Sequence, residues 1–164
     1  MAIKDALIAE LKQEASNTRK MLERVPTNKF AWKPHEKSMT LGRLASHIAE
    51  IPLWVKRTLS MEEFDFANNI LTRKRYEDND ALLMVFNEKL KEAIDCLDTA
   101  SDEALNEIYT LRRGEQVLTK LPRKVLLRNF TLNHIVHHRG QLSVYLRLID
   151  IPVPGMYGPS ADES

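Results

Sequence analysis

With 164 residues, 43% of them hydrophobic and 29% charged, the chain is the size of one ordinary globular domain and can bury a core without disulfides. A formal net charge of +1 excludes the strong field that would draw nucleic acid or an anionic membrane. The single cysteine, Cys96, cannot form an internal disulfide, no apolar run reaches the ~18 residues of a membrane span, and residues 1–5 lack the apolar stretch of a signal peptide, so the expected location is cytoplasmic.

The first predicted helix covers residues 3–24, where Leu7, Leu11, Ala15, Thr18 and Leu22 recur at spacings of three and four before Pro26. The second covers 40–59. Thr40 is its N-cap, Leu41, Leu44, Ile48 and Ile51 form its apolar stripe, His47 lies within that stripe, and Pro52 predicts a kink. Residues 25–39 and 60–78 read as long polar connections. The third helix covers 79–98, with Leu83, Phe86, Leu90, Ala93, Ile94 and Leu97 on one face. Glu107–Leu111 and Glu115–Thr119 then flank Arg112-Arg113-Gly114, the pattern of a short hairpin. The fourth helix covers 122–149, with Pro122 at its start, where the missing N–H is harmless. Leu127, Phe130, Thr131, His134, His138, Gln141 and Tyr145 are predicted to share its inner face. The proline-rich tail at 151–159 cannot be helical. The expected fold is all-α: one domain over 1–164, a four-helix bundle whose long second loop permits a crossover, with a short hairpin between the third and fourth helices.

Three histidines fall on these predicted inner faces. His134 and His138 are one helical turn apart, close enough for two imidazoles to reach one cation. His47 supplies a third ligand from another helix. A lone histidine on an apolar face is usually a hydrogen-bonded core residue, but three of them each need a partner, and one shared cation satisfies all three. His137 is expected at the rim, with a 134/137 ligand pair as the alternative, and His35 reads as solvated beside Pro34. No Asp or Glu shares the stripe, which argues against a carboxylate-bridged di-metal site. Three neutral nitrogen ligands leave one tetrahedral position open for a water with lowered pKa or for a thiolate, the mark of a catalytic site.

Several neighbours are weighed as accessory groups. Arg139 is read as binding a substrate carboxylate or as a structural ion pair, Gln141 and Tyr145 as groups orienting the ligands, with plain packing the alternative for Tyr145, and Glu50, one turn past His47, as a base or a solvated carboxylate. Gly140 costs a helix interior about 1 kcal/mol relative to Ala, which predicts close approach of a neighbouring helix. Cys96 is read as an inert, half-buried apolar residue. The basic stretches Arg73-Lys74-Arg75 and Lys120 to Arg128 read as solvated faces without aromatic interleaving, so no nucleic-acid role is expected.

The string Asn133-His134-Ile135-Val136-His137-His138-Arg139-Gly140-Gln141 resembles the last-helix signature of the DinB-like family of four-helix metalloproteins. Met39-Thr40-Leu41-Gly42-Arg43-Leu44-Ala45-Ser46-His47 resembles its second-helix motif, and Pro154 to Glu163 is similar to its tail, so the resemblance covers essentially the whole chain. It implies a bundle with a crossover, a zinc, nickel or similar divalent ion on His47, His134 and His138, and a homodimer acting on a small-molecule substrate. Relatives implied by the resemblance include bacillithiol S-transferases and mycothiol-dependent maleylpyruvate isomerase, which use a low-molecular-weight thiol. Others are metal-dependent hydrolases. A non-enzymatic metal-binding stress-response protein is the third reading.

Overall fold

Helix α1 (Ile3–Leu22) buries Leu7, Leu11, Ala15, Thr18 and Leu22, the stripe its periodicity predicts. The structure, a computed structural model, describes residues 2–69 and 74–163. Thr40 caps α2 (Leu41–Glu50), its hydroxyl accepting from Arg43 N–H at 3.2 Å. The loop before it lies tight on the helix start: Leu41 and Gly42 donate their N–H groups to the carbonyls of Trp32 and Phe30. A Cβ on Gly42 would meet the Phe30 ring at 2.9 Å, so only glycine fits there.

At Pro52 the predicted second rod breaks rather than kinks. Helix α2 ends at Glu50, and α3 (Leu53–Ser60) restarts after a turn closed by Trp54 N–H to the Ile51 carbonyl. Helix α4 (Asn79–Asp98) is capped by Asp78 and buries Leu82, Phe86, Ala93 and Leu97. A short helix, α5 (Asp102–Asn106), follows.

A small sheet corrects the all-helical expectation. The hairpin is present as β2 (Ile108–Arg113) and β3 (Gln116–Pro122), paired antiparallel, with Gly114 turning at φ 60°. A third strand, β1 (Glu63–Asp65), pairs parallel to β2 in the register Phe64 to Leu111. It falls in the 60–78 segment that reads as a polar connection. Phe64, Tyr109 and Leu111 bury against Trp54 and Leu126, so the sheet covers the outer end of α3. Arg123 closes this corner. Its guanidinium lies over the Tyr109 ring and donates to the carbonyls of Thr58 and Met61. It is therefore buried, unlike the solvated residue its basic stretch suggested. Lys120 and Arg128 are exposed, as are Lys74 and Arg75, and Arg73 lies outside the described residues.

The last rod is not one uninterrupted α-helix. Helix α6 (Arg123–Leu127) passes through a π-helical turn, Arg128–Leu132, into α7 (Asn133–Arg147). On α7 the buried residues are Ile135, Arg139, Leu142 and Leu146. The stripe His134, His138, Gln141 and Tyr145 lies beside that face, half-buried or exposed, rather than pointing into the core. The core proper lies between α1, α2, α4 and α7. The description as four rods is thus coarser than the structure, which is mostly helical, has two of those rods interrupted, and carries a three-stranded sheet. Among the described residues no helix is long and apolar enough to cross a membrane.

Gly140 is not explained by a neighbour within the chain: nothing lies within 4 Å of where its Cβ would stand. Gly140→Ala is therefore expected to stabilise the fold by up to about 1 kcal/mol, seen as a rise in the melting temperature. A fall instead would place a second chain against this face.

Candidate metal centre

Helix α2 presents His47 and α7 presents His134 and His138, and the packing of these two helices brings the rings together. His134 Nε2 lies 3.2 Å from His47 Nε2 and 2.8 Å from His138 Nε2. One ligand atom from each of the three lies within 4.8 Å of the others. Tetrahedral ligands at about 2.0–2.1 Å from a zinc ion stand about 3.3 Å apart, so the cluster is already close to coordinating separation. Among the described residues this group is made of histidines alone.

The second nitrogen of two rings is committed. His138 Nδ1 is 2.7 Å from the Gln141 side-chain oxygen, to which it donates. The His134 ring donates to the Phe130 carbonyl, and with Nε2 facing the other histidines the donor is Nδ1. Both rings therefore carry their proton on Nδ1 and turn a bare Nε2 lone pair inward. Two lone pairs 2.8 Å apart cannot hydrogen-bond to each other, whereas a cation between them is attracted to both. The donor set thus fits a divalent ion of the zinc class.

Electrostatics point the same way. Burial pushes the His134 pKa down, and His138 and His137 push it further. Burial is also the main cause of the lowered His138 pKa, with His137 and Arg43 adding to it against the Gln141 hydrogen bond. Both rings are therefore neutral at neutral pH, the form that binds a metal.

The other candidates separate cleanly. Gln141 orients His138 as expected. Tyr145 does not reach the histidines: its hydroxyl donates to the Met39 carbonyl at 3.2 Å and its ring meets Trp32 edge-on. Arg139 is no substrate ligand. It is 2% exposed and pairs with Glu14 at 2.7 Å, donating also to the Glu14 carbonyl and the Thr18 hydroxyl. Tyr157, in the tail, donates to the same Glu14 carboxylate at 2.6 Å. Glu50 is half-buried and accepts from the Tyr76 hydroxyl at 3.0 Å. His137 is exposed at the rim, its ring 4.8 Å from that of His138, and His35 is exposed in its loop. Burial raises the Cys96 thiol pKa, in keeping with an unreactive apolar role. Two residues were not singled out in the sequence: Arg43, four before His47, and Tyr76. Only the helical spacing of Arg43 could have flagged it.

The comparisons with known proteins agree with this architecture. A dinb-like protein from Bacillus cereus superposes with a TM-score of 0.73 at 21% identity, over 93% of this chain and 97% of that one. A second dinb-like protein, YjoA from Bacillus subtilis, gives 0.68 at 19% identity over 90% and 95%. At these identities the likeness concerns the fold. YrdA of Bacillus subtilis is 47% identical over 34 residues, a match spanning 21% of this chain and only 20% of that protein. The model of the DinB family matches residues 1–164, and the chain belongs to that family.

Proposed function

We propose that His47, His134 and His138 hold a divalent cation, zinc or nickel, and that the centre serves an enzyme transferring a low-molecular-weight thiol to a small electrophile. The observation that carries the reading is the convergence of three imidazole nitrogens, two of them fixed as bare acceptors, with no carboxylate among them. A cation bound there would hold a thiol in its open position and favour the thiolate at neutral pH. The protein's own part is to keep the rings neutral and oriented: Gln141 fixes His138, the Phe130 carbonyl fixes His134, and burial keeps both unprotonated.

A hydrolase is the second reading, and Glu50 is what favours it. The carboxylate stands one turn past His47, where a base would be wanted, although Tyr76 already donates to it. Cobalt-substituted protein separates the two. Millimolar thiol is expected to change the visible absorption of the bound cobalt, and His138→Ala to remove that response. A cobalt spectrum indifferent to thiols, together with turnover of simple esters, would favour the hydrolase.

A further inference from the structure

On α2, the helix that carries His47, a cavity of about 330 Å³ opens toward the segment around residue 76. Its walls include Thr40, Arg43, Ser46, Arg75, Tyr76 and Glu77. Nη1 of Arg43 is shielded from solvent and, among the described residues, has no hydrogen-bond partner. A guanidinium N–H in that position normally finds an acceptor, because leaving it unsatisfied costs more than an exposed one would. Two acceptors of this region are seen with other donors: Glu50 Oε1 takes the Tyr76 hydroxyl, and the Thr40 hydroxyl oxygen takes the Arg43 backbone N–H. Arg43 and the exposed Arg75 bring two cationic groups to the wall, against the exposed Glu77 and with Glu50 and Glu88 acting on Tyr76 from beside it, so the half-buried Arg43 is the group that would draw a negative guest. Arg43 also stands one helical turn before His47, and its charge is felt at His138.

We infer that this cavity is a carboxylate-binding subsite, in which the Arg43 fork receives an anionic group of a small substrate one helical turn from the histidine cluster. The placement relative to a reacting centre rests on the proposed metal site; the binding of the carboxylate does not. Guanidinium pairs with a planar carboxylate through two parallel N–H bonds, and the Thr40 hydroxyl proton is free to add a third.

The test uses metal-free protein and succinate as the probe, followed by calorimetry and by amide NMR shifts. Wild type is expected to bind succinate saturably, with shifts at Thr40, Ser46 and Tyr76. Arg43→Gln is expected to weaken binding at least about tenfold, the loss of one charge-assisted pair, and Arg43→Lys to restore part of it. Zinc is expected still to bind Arg43→Gln at one equivalent, its affinity shifted only as far as the Arg43 charge acts on His138. Equal succinate affinity in Arg43→Gln would overturn the subsite, as would succinate shifts confined to another surface, or phosphate binding where succinate does not. If Arg43→Gln fails to fold, the wild-type shift map decides alone. Succinate binding in a wild type that takes up no zinc would sink the metal reading and leave the subsite standing.

Discussion

Replacing His134 by alanine is expected to abolish stoichiometric zinc binding, measured by elemental analysis and by competition with a chelator. His134 serves as a hub, since its Nε2 lies within about hydrogen-bonding distance of both other rings. Its loss leaves only His47 and His138, two corners of the tetrahedron, to hold the ion. Changes outside the ligand set typically cost 10–100-fold in metal affinity, roughly what Gln141→Ala should show, so removing the hub should cost more than about 100-fold. The pH dependence has a definite sign. The lowered pKa values of His134 and His138 keep the rings neutral below the ordinary histidine value of about 6.5. Zinc should accordingly be held to lower pH than by free imidazole, with proton competition setting in only as pH falls through the depressed values. Full zinc occupancy in His134→Ala would end the case for this centre.

The largest stability effect is expected at Arg139. Its side chain is 3% exposed and that of Glu14 is 11% exposed, so water screens their pairing little. Arg139→Ala would strand a buried carboxylate that also loses its order against Tyr157, and breaking such a pair costs roughly 3–5 kcal/mol. Urea denaturation of Arg139→Ala against wild type measures it. The double variant Glu14→Leu, Arg139→Met should recover much of that loss, because removing both charges leaves nothing uncompensated. If the single variant melted like wild type, the pair would be structurally idle. Arg139 would then need another role.

The histidine trio was legible because helical spacing survives in a bare string, His134 and His138 at four residues and His47 in an apolar stripe, although the rings of His134 and His138 stand beside the buried face of α7 and not in it. The capping of α2 by Thr40 and the stripe of α1 were readable for the same reason. Strand β1 was not, because Glu63-Phe64-Asp65 is three residues long and offers one buried side chain, too little for a period of two to show. Its partner β2 holds it by backbone pairing, aided by Asp65, whose carboxylate accepts from Gly114 N–H at 2.9 Å. Arg139 stayed between two readings because its neighbour on the chain is a ligand and adjacency suggested a shared task; the structure holds it in the ion pair. On a helix, neighbours point about 100° apart, and Arg139 faces α1 while His138 faces α2. The break at Pro52 was signalled, but whether proline bends or severs a helix depends on the packing of Trp54 and Val55 beyond it.

The wide turn at Arg128–Leu132 sets a constraint on anyone who would transplant this centre into a designed scaffold. In an unbroken α-helix, the twelve residues from Leu127 to Arg139 would leave those two side chains about 120° apart, yet both are buried here. The extra residue accommodated by the turn takes back most of that rotation. A straight graft copying residues 123–147 onto an ideal rod would satisfy either its anchoring leucines or its imidazoles, never both. Deleting a single residue within the turn should restore regular winding while leaving Leu127 and the imidazole pair on the faces they now occupy, about 20° from alignment over eleven residues.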